Sequence, residues 1–167
     1  MHFKPKKKGL EEKFQVKIGS KEVKEVKSCR FLGVIVDNEL KWKEHISHIC
    51  NKVAKSIGIL SKLRKVVTSK TLKNMYYTFV YTYIIYCNLL WGNTKKAYID
   101  PLYKLQKKAI RILCNIRRRD ETSVFFKNEQ IIKVIDMYRY QTVLFMYRIR
   151  EKTLPEIYQE KWYNNMV

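Results

Sequence analysis

The sequence predicts an α+β fold, in which a small antiparallel β-sheet (a hairpin plus one strand) is followed by a mostly helical bundle of four to five helices. Three patterns carry that expectation. Phe14, Val16 and Ile18 alternate with polar residues, Gly19-Ser20 turns the chain, and Val23 and Val26 resume a weaker alternation; this reads as a hairpin on a two-residue turn with glycine first. Residues 29–36 are more continuously apolar, as in a strand covered on both faces. Beyond residue 41, apolar side chains recur every three or four positions, the helical period.

Asp37-Asn38 has the chemistry to turn the chain and cap the helix after it. The first helix is expected over about 41–63, with Trp42, Ile46, Ile49, Val53, Ile57 and Leu60 on one face and Lys43, Lys52, Lys55, Lys62 and Lys65 on others. A second, over about 69–90, starts from Thr68 or Ser69 as cap and ends at Gly92. Its interior is apolar nearly all round, which predicts the central element of a bundle. The uncharged run 75–91 within it is short for a membrane span and contains Asn88 and several tyrosines, so it reads as a buried core helix. Those tyrosines have the rings to stack on bases, but their uncharged surroundings favour the core.

Asp100-Pro101 gives an N-cap followed by proline at the first helical position. From there Leu102, Leu105, Ala109, Ile112 and Leu113 form an apolar stripe opposite Lys104, Lys107, Lys108 and Arg111. Arg117-Arg118-Arg119-Asp120 reads as a linker, Thr122 or Ser123 opens a short element, and a last helix over about 131–150 ends before Leu154-Pro155.

Thirty-five Lys and Arg against 15 acidic residues leave a net charge of +20 and a pI near 9.8, an imbalance that calls for a polyanion such as nucleic acid or an acidic membrane surface. The charge is uneven, since residues 101–128 are densely basic and the segment after them is nearly neutral. The four cysteines form no Cys-x-x-Cys pair and read as free, buried thiols of a reducing compartment. His45 and His48, with Cys50 nearby, fall short of the four compact ligands of a zinc site. Lys4 and Lys6, Lys7 and Lys8 are not followed by an apolar run, so no secretory signal is read, and the expected location is intracellular, in nucleus or cytoplasm.

The order of the blocks Phe31-Leu32-Gly33-Val34-Ile35-Val36-Asp37, Lys52-x-x-Lys55-x-x-Gly58-Ile59-Leu60-x-Lys62-Leu63-Arg64, Trp91-Gly92 and Leu105-Gln106-Lys107-Lys108-Ala109-Ile110-Arg111 resembles the end of the reverse transcriptase domain of non-LTR (LINE, jockey-like) retrotransposons. Nearly the whole chain is covered by that resemblance. It departs where the family often has proline at Thr82 and a Leu-x-Ile-Leu pattern at Asn128 to Ile131. The resemblance implies that 1–38 are the end of a palm-like β region, 39–120 a thumb-like bundle and 121–167 C-terminal connection helices.

Polymerases of this family use two metal ions held by convergent carboxylates, including an adjacent Asp-Asp pair. Here Asp37, Asp100, Asp120 and Asp136 each stand alone, and the adjacent acidic pairs Glu11-Glu12 and Asp120-Glu121 lie in polar, turn-like contexts. No catalytic residue and no cofactor are assigned to this chain, and the magnesium ions of the full-length family are expected upstream of it.

The partners implied are RNA or an RNA/DNA hybrid, and the palm and fingers of the same polymerase; no membrane and no small-molecule substrate are expected. Gly33 is either where the primer strand approaches the backbone or a packing glycine under Trp42. Lys52, Lys55, Lys62 and Arg64 follow the first thumb helix as candidate phosphate contacts. Lys104, Lys107, Lys108 and Arg111 are either a phosphate-tracking face or a solvated one, and Arg117, Arg118 and Arg119 are candidates on the segment after them. The competing reading is a non-catalytic helical interaction module or the remnant of a decayed element, charged only for solubility.

Overall fold

The computed structural model describes Phe3 and residues 16–158. Phe14, Gln15, Glu11-Glu12 and the lysines at 4 and 6–8 lie outside the described residues, as does 159–167. The fold is α+β: two separate two-stranded antiparallel sheets precede the helices.

Strands β1 (Val16–Ile18) and β2 (Lys21–Val23) pair with Ile18 opposite Lys21, and Gly19 takes φ 61° in the turn, as the two-residue glycine-first turn requires. The apolar run 29–36 is not one strand. It is a second hairpin, β3 (Ser28–Phe31) against β4 (Val34–Asp37), with Phe31 opposite Val34 and both Leu32 (φ 45°) and Gly33 (φ 82°) left-handed in the turn. Two consecutive positive φ angles are the signature of a type I′ turn, and the X-Gly pair at its centre is the reason the chain folds back there. Covering on both faces fails with it, since Val34 is buried but Phe31 and Leu32 are largely exposed.

The Asp37 carboxylate accepts the backbone N–H groups of Glu39 (3.2 Å), Lys41 (3.0 Å) and Trp42 (2.8 Å). It thereby ties the hairpin to the start of α1 (Lys43–Leu63) and turns the chain as expected, but it does not cap that helix: the N-cap position is Trp42, which makes no side-chain cap bond, and Asp37 holds only N–H groups ahead of the first helical residue. Helix α1 buries the predicted face, Ile46, Ile49, Val53, Ile57 and Leu60.

The second predicted helix is broken into pieces. Helix α2 (Ser69–Tyr76), capped by the Thr68 side chain through Thr71 N–H, continues into a π-helical turn (Tyr77–Tyr81) and α3 (Thr82–Ile85). Cys87 at φ 51° then stops the run before α4 (Asn88–Trp91). Carbonyls freed at this break are taken by side chains: Trp91 Nε1 donates to Tyr86 O (2.9 Å) and Asn88 Nδ2 to Ile84 O (3.3 Å). Nor is the run enclosed all round. Leu72, Tyr76, Val80, Ile84 and Trp91 face the core, while Phe79, Tyr83, Tyr86 and Leu90 are exposed. No helix among the described residues is long and apolar enough to cross a membrane.

Helix α5 (Lys96–Leu113) starts before Asp100-Pro101, which lies in its second turn. At that position proline removes the N–H that would reach Ala97 O and crowds that carbonyl, a local cost that the helix carries. The buried stripe is Ile99, Leu102, Gln106, Ala109 and Ile110, with Leu105, Ile112 and Leu113 only half-buried, so the helix is rotated from the expected stripe and a glutamine sits at its centre. Thr94 Oγ1 donates to Lys41 O (2.9 Å) at the start of both α1 and α5, and Arg64 and Ile112 line one recess at their far ends; the two helices run parallel and pack against each other.

Residues 117–120 form a compact turn rather than a linker, closed by Asp120 N–H to Arg117 O (3.2 Å) and Arg117 N–H to Asp120 Oδ2 (2.8 Å). Helix α6 (Ser123–Asn128) leads to α7 (Val134–Arg150), which starts three residues later than expected. Its first N–H, at Val134, is bonded by Gln106 Oε1 (2.8 Å), and one core runs from Ile46 to Met137.

Two glycines separate close approach from mere helix weakening. A Cβ at Gly92 meets Asn88 O at 2.6 Å and the Tyr138 side chain at 2.9 Å, whereas one at Gly58 meets open space. Gly92→Ala is expected to lower unfolding stability by about 1–3 kcal/mol through overpacking of α4 against α7. Gly58→Ala is expected to raise it by roughly 0.5–1 kcal/mol. Urea denaturation of both variants checks the opposite signs.

Candidate nucleic-acid interface

Where α1 and α5 end side by side, a recess of about 520 Å³ is lined by Arg64, Lys104, Lys108, Arg111 and Arg118 with Ile112 and Ile116 as its apolar floor. Three of these cations come from one face of α5, because positions 104, 108 and 111 follow the i, i+4, i+7 spacing opposite the buried Leu102, Gln106 and Ala109. Arg64 is the C-cap of α1, and Arg118 comes from the 117–120 turn. Among the described residues no carboxylate lines the recess. The nearest turn acid, Asp120, has its carboxylate on Arg117 N–H, and its carbonyl accepts from Arg111 Nη2 (3.3 Å). Arg111 Nε is buried without a hydrogen-bond partner.

Five cations gathered without acids repel one another. The carbonyl ends of α1 and α5 carry partial negative charge and offset part of that repulsion. A polyanion with several phosphates offsets far more.

A second recess, about 460 Å³, lies between the β3–β4 hairpin, α1 and the π turn with α3. Gly33 and Lys52 both line it, with Arg30, His48, Phe79, Tyr83 and Tyr86. Gly33 does not pack under Trp42: the group nearest a Cβ there is the Tyr86 ring, at 3.7 Å. The Tyr86 hydroxyl donates to Leu32 O (2.6 Å), pinning the hairpin tip to the end of α3. His45 pins strand β4, accepting the Ile35 N–H on Nδ1 (3.3 Å).

That bond leaves the proton of the neutral ring on Nε2, which is buried and has no partner. The ring stands edge-to-face with Trp42 and Trp91, at centroid distances of 6.4 and 5.9 Å. Burial, and secondarily the charge of His48, lower its pKa from 6.5 to about 4.

The remaining candidates disperse. Lys55 and Lys62 are exposed on α1 outside both recesses, on the same side of the helix as Lys52 by their spacing. Lys107 leaves the α5 row and lies over the Tyr103 ring, 4.7 Å from its centroid. Arg117 and Arg119 are exposed on the turn but line neither recess. Arg30, His48 and Phe79 were not legible as site residues, because their placement depends on the hairpin turn and the π turn; Leu32-Gly33 was the available signal for the first. Among the described residues no three or more His, Cys, Asp or Glu side chains group where they could hold a metal ion.

His45 sets a pH dependence. The unfolded chain binds the imidazole proton with the ordinary pKa, 6.5, and the folded chain only near 4. Its contribution is therefore complete above pH 6.5 and is lost as pH falls from 6.5 to about 4, by on the order of 2–3 kcal/mol. An NMR titration of the His45 ring, with urea unfolding across the same interval, checks this; a midpoint near 6.5 contradicts it.

Comparison of the chain with protein-family models, with curated proteins and with solved structures gives no match.

Proposed function

We propose that the chain is the palm-edge and thumb portion of a LINE-type reverse transcriptase, and that it grips an RNA or RNA/DNA hybrid by its backbone without carrying out polymerisation itself. The observation that carries the grip is the recess of Arg64, Lys104, Lys108, Arg111 and Arg118, with no lining carboxylate among the described residues. A groove that concentrates positive charge binds phosphates without reading sequence. The family assignment rests on the ordered blocks from Phe31 to Arg111.

One observation favours a second reading, a helical interaction module. Tyr140, Val143 and Tyr147 leave an apolar row exposed on α7, at i, i+3 and i+7. In the polymerase reading that row faces the palm or fingers; in the second it faces an unrelated protein.

Binding of the purified chain to an RNA/DNA hybrid separates the two. With four or five phosphates neutralised, affinity is expected to fall by roughly two to three orders of magnitude between 50 and 200 mM salt. Changing Lys104, Lys108 and Arg111 to Ala is expected to reduce the log–log salt slope by about 3, and Lys107→Ala by less than 1. Weak binding indifferent to salt and to these substitutions contradicts the grip and leaves the interaction module.

A further inference from the structure

The recess at the β3–β4 hairpin differs in kind from the basic one at the helix ends. Its walls are the exposed rings of Phe79, Tyr83 and Tyr86, with Arg30, His48 and Lys52 beside them and, among the described residues, no acidic side chain in its lining. Its volume, about 460 Å³, lies within the roughly 300–1,000 Å³ of small-molecule sites. The rings are held there by the backbone. The i→i−5 bond from Thr82 N–H to Tyr77 O widens the helix at Phe79, Tyr83 follows one turn on, and the Tyr86 hydroxyl is anchored on Leu32 O. The hydroxyls of Thr78 and Thr82 in the same wall are turned back onto Asn74 O and Thr78 O, which leaves the ring faces as the principal contact surface.

We propose that this recess takes an unstacked base of a single-stranded nucleic acid, with Phe79 and Tyr83 as the stacking surface and Arg30 and Lys52 on the flanking phosphates. Flat π faces beside cations suit any base and discriminate against a closed duplex, whose bases already stack on one another. Charge complementarity commits the occupant: an apolar peptide leaves the Arg30 and Lys52 charges without a counter-charge, and an acidic peptide leaves the rings without a planar partner. Beyond Lys52, the exposed Lys55 and Lys62 continue along α1 and give the strand further phosphate contacts. The inference rests on the nucleic-acid reading above and adds a second site that prefers single strands.

The test is fluorescence anisotropy of the full chain with labelled oligo(dT) and with a blunt duplex of equal length, at one salt concentration. Tyr83→Leu combined with Phe79→Leu, which keeps apolar bulk and removes the rings, is expected to weaken oligo(dT) binding about tenfold or more and duplex binding less than twofold. Tyr83→Phe with Phe79→Tyr, which keeps both rings, is expected to retain oligo(dT) affinity within twofold and guards against a variant that has merely lost its fold. Equal loss on both ligands, or none on either, overturns the stacking site while leaving the backbone grip standing. Absence of binding by the unaltered chain to either ligand overturns the nucleic-acid reading itself, and this inference with it.

Discussion

Gln106 is the polar side chain on which the arrangement of the helices depends. It is fully buried at the centre of α5, its Nε2 donates to the Tyr76 hydroxyl (3.0 Å) and to Ile132 O (2.9 Å), and its Oε1 accepts Val134 N–H (2.8 Å). One side chain thus joins α2, α5 and the start of α7. Burial keeps the Tyr76 phenol protonated by pushing its pKa up, so the partner on α2 stays neutral. A buried amide is costly unless its bonds are made, and each lost partner here strands a backbone or hydroxyl group at about 1–3 kcal/mol. That penalty fixes the rotation of α5 more narrowly than apolar packing alone, since neighbouring apolar rows are interchangeable and a glutamine needing three partners is not.

With α5 clamped by Gln106, Lys104, Lys108 and Arg111 turn to the opposite side, toward the ends of α1 and of α5 itself. The parallel course of these two helices brings both carbonyl ends to one place, so cations collect there at reduced electrostatic cost. The hairpin at the other end of α1 is held by different chemistry, through the Asp37 carboxylate, the His45 ring and the Tyr86 hydroxyl. Each of those three bonds joins the hairpin to the start of α1 or the end of α3, and together they shape the aromatic recess.

Periodicity made the helical part legible. The apolar positions of α1 from Ile46 to Leu60 are buried, Thr68 caps α2 as its chemistry suggests, and Asp37 turns the chain ahead of α1 without capping it. What was not legible depended on local geometry that periodicity does not encode. Leu32 in a left-handed turn splits an apolar run that composition alone reads as one strand. A π turn and the left-handed Cys87 divide a run that looks like one buried helix, and so expose Phe79, Tyr83 and Tyr86. Gln106 was passed over because a polar residue inside an apolar stripe is usually discounted. Of the candidate phosphate contacts, the fold gathers those whose helix ends converge, while Lys107 and Arg119 share only their neighbourhood in sequence.

The most direct measurement is amide hydrogen exchange of the chain alone and with an RNA/DNA hybrid, read segment by segment. Slowed exchange at the ends of α1 and α5 and across residues 115–120, with the outer side of α7 unchanged, is the result expected if the five-cation recess seats the phosphate backbone. Protection confined to the outer side of α7, or no protection anywhere, contradicts it.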